Sequence, residues 1–347
     1  MTESKKQTVY ISGVTGFIAQ HIAKSLLESK NFKVIGSVRD SAKASSLVSN
    51  LNNNPDFEID VIENIAEPNA FDESFKKYGK SIDFILHTAS PFTFNISDVQ
   101  KDLIDPAKNG SENIFKAAHL YATNLKHFVV TSSFAAIVDR KIAGDPSTIF
   151  NEKSWNPNTL EDGLKSPASG YTYSKTVAEQ TIWSLAEKLN VGFGVTAVNP
   201  VLVLGPQAFD SNATKTLNTS CEFVRKLMQT KFGENIPDGL TGAAVDVRDV
   251  AKAHIMPLLD SQKFDKKRLF MTESPFSNQI ILDSLNKVTG LQGQIAAGTP
   301  HKDDNLGNTF AKQDNTETKK LLGFEFTPVE KSVMDTAVQI LKVQKEL

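Results

Sequence analysis

The chain has 347 residues, 40% of them hydrophobic and 22% charged, enough for a sizeable buried core and ordinary for a globular protein. Its 38 basic and 40 acidic side chains give a net charge of −2, without the dense basic surplus that a nucleic-acid partner demands, so none is expected. The lone cysteine, Cys221, excludes an intramolecular disulfide and a thiolate-held zinc; no metal is expected, and the thiol is expected to pack.

The first residues, Met1-Thr2-Glu3-Ser4-Lys5-Lys6, lead into an apolar run at Val9 and then directly to Gly13, without a signal-peptide core. No run approaches the roughly 18 apolar residues of a membrane span, so no membrane partner is expected and the cytoplasm is the expected compartment. Short apolar runs predict strands at 8–12, 33–38, 57–62, 83–88, 127–131 and 193–199. Helical spacing predicts helices at 18–28, 70–78, 103–121 and 173–189. Strands separated by helices make right-handed βαβ crossovers, hence an α/β fold with a doubly wound parallel (Rossmann) sheet.

After Asn199-Pro200 the alternation breaks. Gly205-Pro206 and the Asn/Thr-rich stretch to Ser220 read as loop, 222–230 as a helix, and 245–259 and 268–272 as a return to the core. A loop-rich stretch at 290–314 and a helix at 329–342 complete the chain. The expected organisation is a cofactor domain over 1–200, rejoined by about 245–275, and a smaller, discontinuous C-terminal substrate part from 201–244 and 276–347.

The first strand runs into Gly13-Val14-Thr15-Gly16-Phe17-Ile18-Ala19. Two glycines at this spacing permit a tight turn and close approach of backbone N–H groups to a pyrophosphate, and the following helix points its positive end at the same anion. Ala19 stands where a third small residue lets the helix pack on the strand. An NAD enzyme places a carboxylate after the second strand to accept from the ribose 2′-hydroxyl; here the sequence reads Ser37-Val38-Arg39, with Lys43 a helical turn later. A guanidinium fork and a second positive charge suit a 2′-phosphate, so NADP(H) is the expected cofactor. Asp40 is expected to cap the next helix.

The chemistry centres on Gly170-Tyr171-Thr172-Tyr173-Ser174-Lys175. Tyr171 and Lys175, spaced i, i+4, share a helix face, and a nearby ammonium brings a phenol of pKa near 10 towards working range. Tyr173 has Val177 as its i+4 neighbour and carries no such pairing. Upstream, the fifth strand ends in Thr131-Ser132-Ser133, at the sheet edge where ligands bind in doubly wound folds. A serine hydroxyl there can donate to a substrate carbonyl oxygen; spacing leaves Ser132 and Ser133 both open. His87 is expected to support its loop, and Asp246-Val247-Arg248-Asp249 to start a helix with internal ion pairs.

Several segments strengthen this reading: Gly16-Phe17-Ile18-Ala19-Gln20-His21, Leu86-His87-Thr88-Ala89-Ser90-Pro91-Phe92, Phe150-Asn151-Glu152, Ser154-Trp155-Asn156-Pro157, Leu217-Asn218-Thr219-Ser220-Cys221-Glu222 and Asp246 through His254. With them the chain resembles, over nearly its whole length, an extended short-chain dehydrogenase/reductase of the dihydroflavonol-4-reductase-like branch. The resemblance implies catalytic Ser133, Tyr171 and Lys175, preferring Ser133 to Ser132. It implies cofactor contacts at Gly13, Thr15, Gly16, Phe17, Ile18, Thr88, Ala89 and Ser90, the 2′-phosphate on Arg39 and Lys43, and adenine near Asn64-Ile65. It sets the nicotinamide beside Pro200-Val201 and a phosphate near Ser220. Asn64 departs from the aspartate common in the family. Phe92, Phe134, Ala168 and Leu202 are implied as pocket residues, Phe134 and Leu202 standing for tyrosines and making the pocket drier.

The expected activity is NADPH-dependent reduction of aldehydes and ketones, such as small dicarbonyls, branched aldehydes and prochiral ketones, by a monomer or homodimer. The rivals are a nucleotide-sugar epimerase, which shares the core, and an NADP-sensing protein without catalysis.

Overall fold

The computed structural model describes residues 5–90, 96–214, 217–236 and 239–346. It divides into two compact units: Met1–Asp139, Glu152–Asn199 and Ala251–Leu269 form one, and Arg140–Asn151, Pro200–Val250 and Phe270–Leu347 the other.

The first unit is built from β1 (Gln7–Ser12), α1 (Phe17–Glu28), β2 (Phe32–Val38), β3 (Phe57–Val61), α2 (Asp72–Tyr78), β4 (Phe84–His87), α3 (Asp105–Tyr121), β5 (His127–Thr131), α4 (Pro167–Lys188), β6 (Gly194–Pro200, all but its last residue) and β7 (Lys267–Met271, all but its last two). The seven strands lie in the order β7-β6-β5-β4-β1-β2-β3, and the pairings from β3 to β6 are all parallel. The winding reverses between β1 and β4, which opens a crevice at their carboxyl ends. The expected doubly wound α/β sheet is therefore present.

Strand residues of such a sheet are covered on both sides. Val9, Tyr10 and Ile11 are all fully buried, although alternate residues face opposite sides. On one side, Phe71, Phe75, Ile114, Phe115 and Ile182 from α2, α3, α4 and the turn before α2 pack on Tyr10, Ile85 and Phe128. Edge-to-face ring contacts fix this layer, with Tyr10 4.9 Å from Phe75 and Phe128 5.0 Å from Phe115.

The helix carrying Tyr171 starts at Pro167, earlier than its apolar spacing predicts. Ser166 accepts from the Ser169 N–H at 3.1 Å as N-cap, and proline at the first position loses no helical bond. Gly170, before the helix predicted at 173–189, lies inside the helix; a Cβ there would clash with the Val99 side chain. Its absent side chain permits that approach.

In the second unit, Gly242–Asp246 pairs in parallel with Leu202–Leu204 and antiparallel with Ser274–Phe276. Leu204, Val224, Ala244, Phe276, Ile281 and Val333 belong to its core. Fully buried Asp246 accepts from Ser332 and Arg248, and Arg248 also reaches Asp335 at 2.7 Å, the expected ion-pair cluster at a helix start. Cys221 is buried and donates to the Gly205 carbonyl; burial pushes its thiol up to about 12, so it packs rather than reacts. Arg140–Asn151, read from sequence as part of the first 200 residues, belongs to this unit, because Ile149–Phe150 pairs with Lys312–Gln313. The strands at 202–204 and 274–276 and the helices Asn278–Leu285 and Thr316–Leu322 were not expected, being too short to show a period.

Truncating Phe128 to alanine removes the ring on which α3 packs. The Phe128→Ala protein should lose about 3–5 kcal/mol of stability, read as a lower urea midpoint.

Candidate active site

The turn after β1 has the geometry that a dinucleotide needs. Gly13 adopts φ +67°, and a Cβ there would lie 3.0 Å from the Ala89 backbone. Its N–H donates to Ser37 Oγ at 3.3 Å, while the Gly16 N–H donates to the Gly13 carbonyl at 2.9 Å. Gly16 caps α1 without a side-chain bond, so no side chain competes with an anion for the first-turn N–H groups. Ala19 is buried, as its place against the strand predicts. Thr15, Phe17 and Ile18 line the same turn and are partly buried.

Ser12, unremarked in the sequence, holds this turn to the loop after β4. Its Oγ receives the N–H groups of Thr88 and Ala89, each at 3.1 Å, and lies 2.7 Å from His87 Nδ1. With two amides on its lone pairs, the hydroxyl must give its own proton to His87 Nδ1. His87 is therefore neutral, with its proton on Nε2. Burial, then the nearby Lys175 charge, pulls its pKa down to about 3, in agreement. Its role is structural, as expected.

Arg39 follows β2 and is exposed, with no carboxylate at the strand end; Asp40 turns away to accept from the Ala42 N–H at 2.9 Å. The side chain of Lys43 lies outside the described residues. Asn64 accepts from the Ala66 N–H and donates to Glu67, forming an Asx turn, and Ile65 packs against Gly110 of α3. The cradle, the uncapped helix end and the cation after β2 together fit an NADP-type dinucleotide.

Tyr171 and Lys175 lie within α4, the ammonium 6.0 Å from the tyrosine ring centre. Burial pulls Lys175 down to about 8. Tyr173 instead packs over Gly163. Beside the helix, the two serines separate in role. Ser132 is buried and donates to Glu179. Ser133 accepts from the Ala135 N–H at 3.1 Å as cap of a 3-10 turn, so its hydroxyl proton can still be donated to a ligand. Ser90, Ser132, His87 and Lys175 line one small cavity. Phe134 opens the turn after Ser133, partly buried, and Ala168 is exposed one turn before Tyr171. Phe92 lies outside the described residues.

Pro200, Val201, Leu202 and Ser220 belong to the second unit. Val201 donates to Met271 O, Leu202 starts the short strand, and Ser220 receives a bond from Asn218 Nδ2 at 2.7 Å. A separate cleft of about 870 Å³ in the first unit is lined by Lys126, Gly194, Trp155, Trp183 and Arg268. Lys126 and Gly194 flank the amino ends of β5 and β6, away from the carboxyl ends where Ser133 lies.

The sequence model of the NAD dependent epimerase/dehydratase family matches residues 9–270. The chain belongs to that family. This member, an extended short-chain dehydrogenase/reductase as its motifs indicate, is similar to the NADPH-dependent methylglyoxal reductase GRE2 of Saccharomyces cerevisiae. The two are 43% identical over 97% of this chain and 99% of that protein. It is 40% identical to the putative NADPH-dependent methylglyoxal reductase GRP2 of Candida albicans, over 97% of this chain and 99% of the relative. The crystal structure of yeast methylglyoxal/isovaleraldehyde reductase Gre2 complexed with NADPH superposes with a TM-score of 0.92, covering 98% of this chain and 100% of that one.

The Gly13 cradle yields a direct test. Gly13→Ala should weaken NADPH binding about tenfold or more, since a left-handed φ costs a non-glycine residue about 1 kcal/mol or more and the new methyl presses on Ala89. Fluorescence titration with NADPH measures it.

Proposed function

We propose that this protein is an NADPH-dependent carbonyl reductase, converting aldehydes and ketones to alcohols in the cytoplasm, as a monomer or homodimer. Small dicarbonyls such as methylglyoxal, branched aldehydes and prochiral ketones are its substrate class. The observation that carries this reading is the combination, within one unit, of an NADP-type cradle at the end of β1 with Tyr171 and Lys175 side by side on α4 and, after β5, a Ser133 whose Oγ accepts from the Ala135 N–H and keeps its proton for a ligand. Similarity to NADPH-dependent methylglyoxal reductases over nearly the full chain supports it.

The turn amides of Thr15, Phe17 and Ile18 hold the pyrophosphate, Gly16 shaping the turn through its bond to the Gly13 carbonyl, and Arg39 meets the 2′-phosphate. Asn64 and Ile65 flank the adenine. Thr88, Ala89 and Ser90 line the path to the nicotinamide. When bound, NADPH supplies the hydride that reaches the carbonyl carbon. Ser133 donates to the carbonyl oxygen, stabilising the charge that gathers there. Tyr171 delivers the proton that completes the alcohol, and the Lys175 ammonium stabilises the phenolate left behind and holds the ribose hydroxyls. Phe134 and Ala168 offer apolar surface to the substrate. An epimerase would keep a tightly held NAD, for which the end of β2 supplies no carboxylate.

NADPH absorbance followed with a panel of methylglyoxal, 3-methylbutanal and aryl ketones tests the activity; tight NADPH binding with no turnover of any of them sinks it. Tyr171→Phe should cost about 10²–10⁴-fold in kcat while NADPH affinity holds. The rate should also fall as pH rises through about 8, the value to which burial pulls Lys175, because the ammonium is lost above it and kept below it. A kcat/KM profile that climbs between pH 8 and 10 contradicts that role for Lys175.

A further inference from the structure

Beneath the candidate catalytic groups lies a carboxylate that neither the motifs nor the mechanism above uses. Glu179 is on α4, four residues after Lys175 and eight after Tyr171, so the three share a helix face. Its side chain is 0% exposed. A buried carboxylate without partners costs several kcal/mol, and such groups persist where the surroundings saturate them with donors.

Glu179 is saturated. Oε1 accepts from Trp183 Nε1 at 3.0 Å and from Arg268 Nε at 2.6 Å. Oε2 accepts from the Ser132 hydroxyl, from Asn199 Nδ2 at 2.7 Å and from Arg268 Nη2 at 3.3 Å. These donors come from the catalytic helix, the loop after β5, the end of β6 and the start of β7.

Two of them fix the neighbourhood of Ser133. Ser132 is its chain neighbour, and Asn199 also donates to the Ser133 carbonyl at 3.2 Å. Arg268 reaches past the carboxylate to the carbonyls of Ala136, at 3.4 Å, of Glu152, at 2.9 Å, and of Ser154. Its guanidinium lies 3.9 Å over the Trp155 ring, and it is 9% exposed. The serine loop is thus tied to the catalytic helix on one side by Glu179 and at Ala136 by Arg268.

We infer that Glu179, held by Arg268, is a positioning residue of the reductase site: it sets Ser133 against Tyr171 and Lys175. The inference rests on the carbonyl-reductase reading. It follows from what a conservative change would do. A glutamine side chain has one acceptor oxygen and presents N–H groups where the carboxylate accepted. Either Ser132 and Asn199 or Trp183 and Arg268 would then face a donor, and Arg268 would lose its counter-charge. A displacement of the serine loop by a fraction of an ångström falls on the transition state, because the oxygen charge that Ser133 stabilises develops only there. The cofactor cradle at β1 shares no partner with Glu179 and stays as it is.

The test compares NADPH-loaded wild type, Glu179→Gln, Ser133→Ala and the double variant, by steady-state and single-turnover reduction of methylglyoxal, with the NADPH-induced thermal shift as a binding readout. Glu179→Gln should lower kcat about tenfold to a hundredfold, with KM for NADPH and the thermal shift unchanged. In the Ser133→Ala background it should have little further effect, since it acts through Ser133. Ser132→Ala, which removes one hook and leaves the charge pair, should lower kcat several-fold and decides the matter if Glu179→Gln does not fold. A Glu179→Gln enzyme with wild-type kcat, or a loss that multiplies fully with that of Ser133→Ala, overturns the inference while leaving the reductase reading intact. So does an unchanged rate in Ser132→Ala, or a Ser132→Ala loss as large as that of Ser133→Ala. Absence of turnover in the wild type overturns both.

Discussion

Where the winding of the sheet reverses, β1 and β4 lie side by side and their chains depart in opposite directions, and one hydroxyl closes the gap. Ser12 Oγ takes the amides of Thr88 and Ala89 and gives its proton to His87. That small set of bonds brings the backbone of residue 89 against Gly13, so only glycine fits at the turn. The cradle for a pyrophosphate, the neutral state of His87 and the path of the loop towards Ser90 all depend on it. A doubly wound sheet places a crevice at this point by topology alone; Ser12 makes the crevice a specific shape.

The other half of the site depends on burying charge. Lys175 and Glu179 stand one turn apart on a helix pressed against the sheet. Burial draws the lysine towards the pH range in which it can lose its proton, while the glutamate keeps its place by accepting from donors on three neighbouring segments as well as its own helix. Hydrophobic packing supplies the bulk of the fold, through rings such as Phe115 and Phe128. It is not directional, and it would tolerate small slides of helix on sheet. Hydrogen bonds to a buried carboxylate are directional, and they oppose such slides at the point where the serine loop meets the helix.

The second unit follows a different logic. Its strands are short, and its segments come from three parts of the sequence. Asp246 and Arg248 hold it together at the start of a helix, with Ser332 and Asp335 of the final helix as partners. Cys221, the single thiol, is a packing atom there, kept protonated by its burial.

By itself the sequence determined what depends on local pattern. Strand and helix periods prescribed the α/β sheet, two glycines after the first strand prescribed the turn, and the i, i+4 spacing set Tyr171 beside Lys175 because a helix repeats every 3.6 residues. Arg39 in place of a carboxylate was equally local. Tertiary structure decided whatever depends on contacts between distant residues. The start of α4 at Pro167, the transfer of 140–151 to the second unit and the strands at 202–204 and 274–276 leave too little periodic sequence to read. The two adjacent serines are chemically equivalent in the chain; only the folded protein, by placing Glu179 against Ser132, leaves Ser133 with a proton to donate. Ser12, Asn199 and Arg268 carried no motif, because a hydrogen bond between residues far apart in sequence has no spacing to betray it.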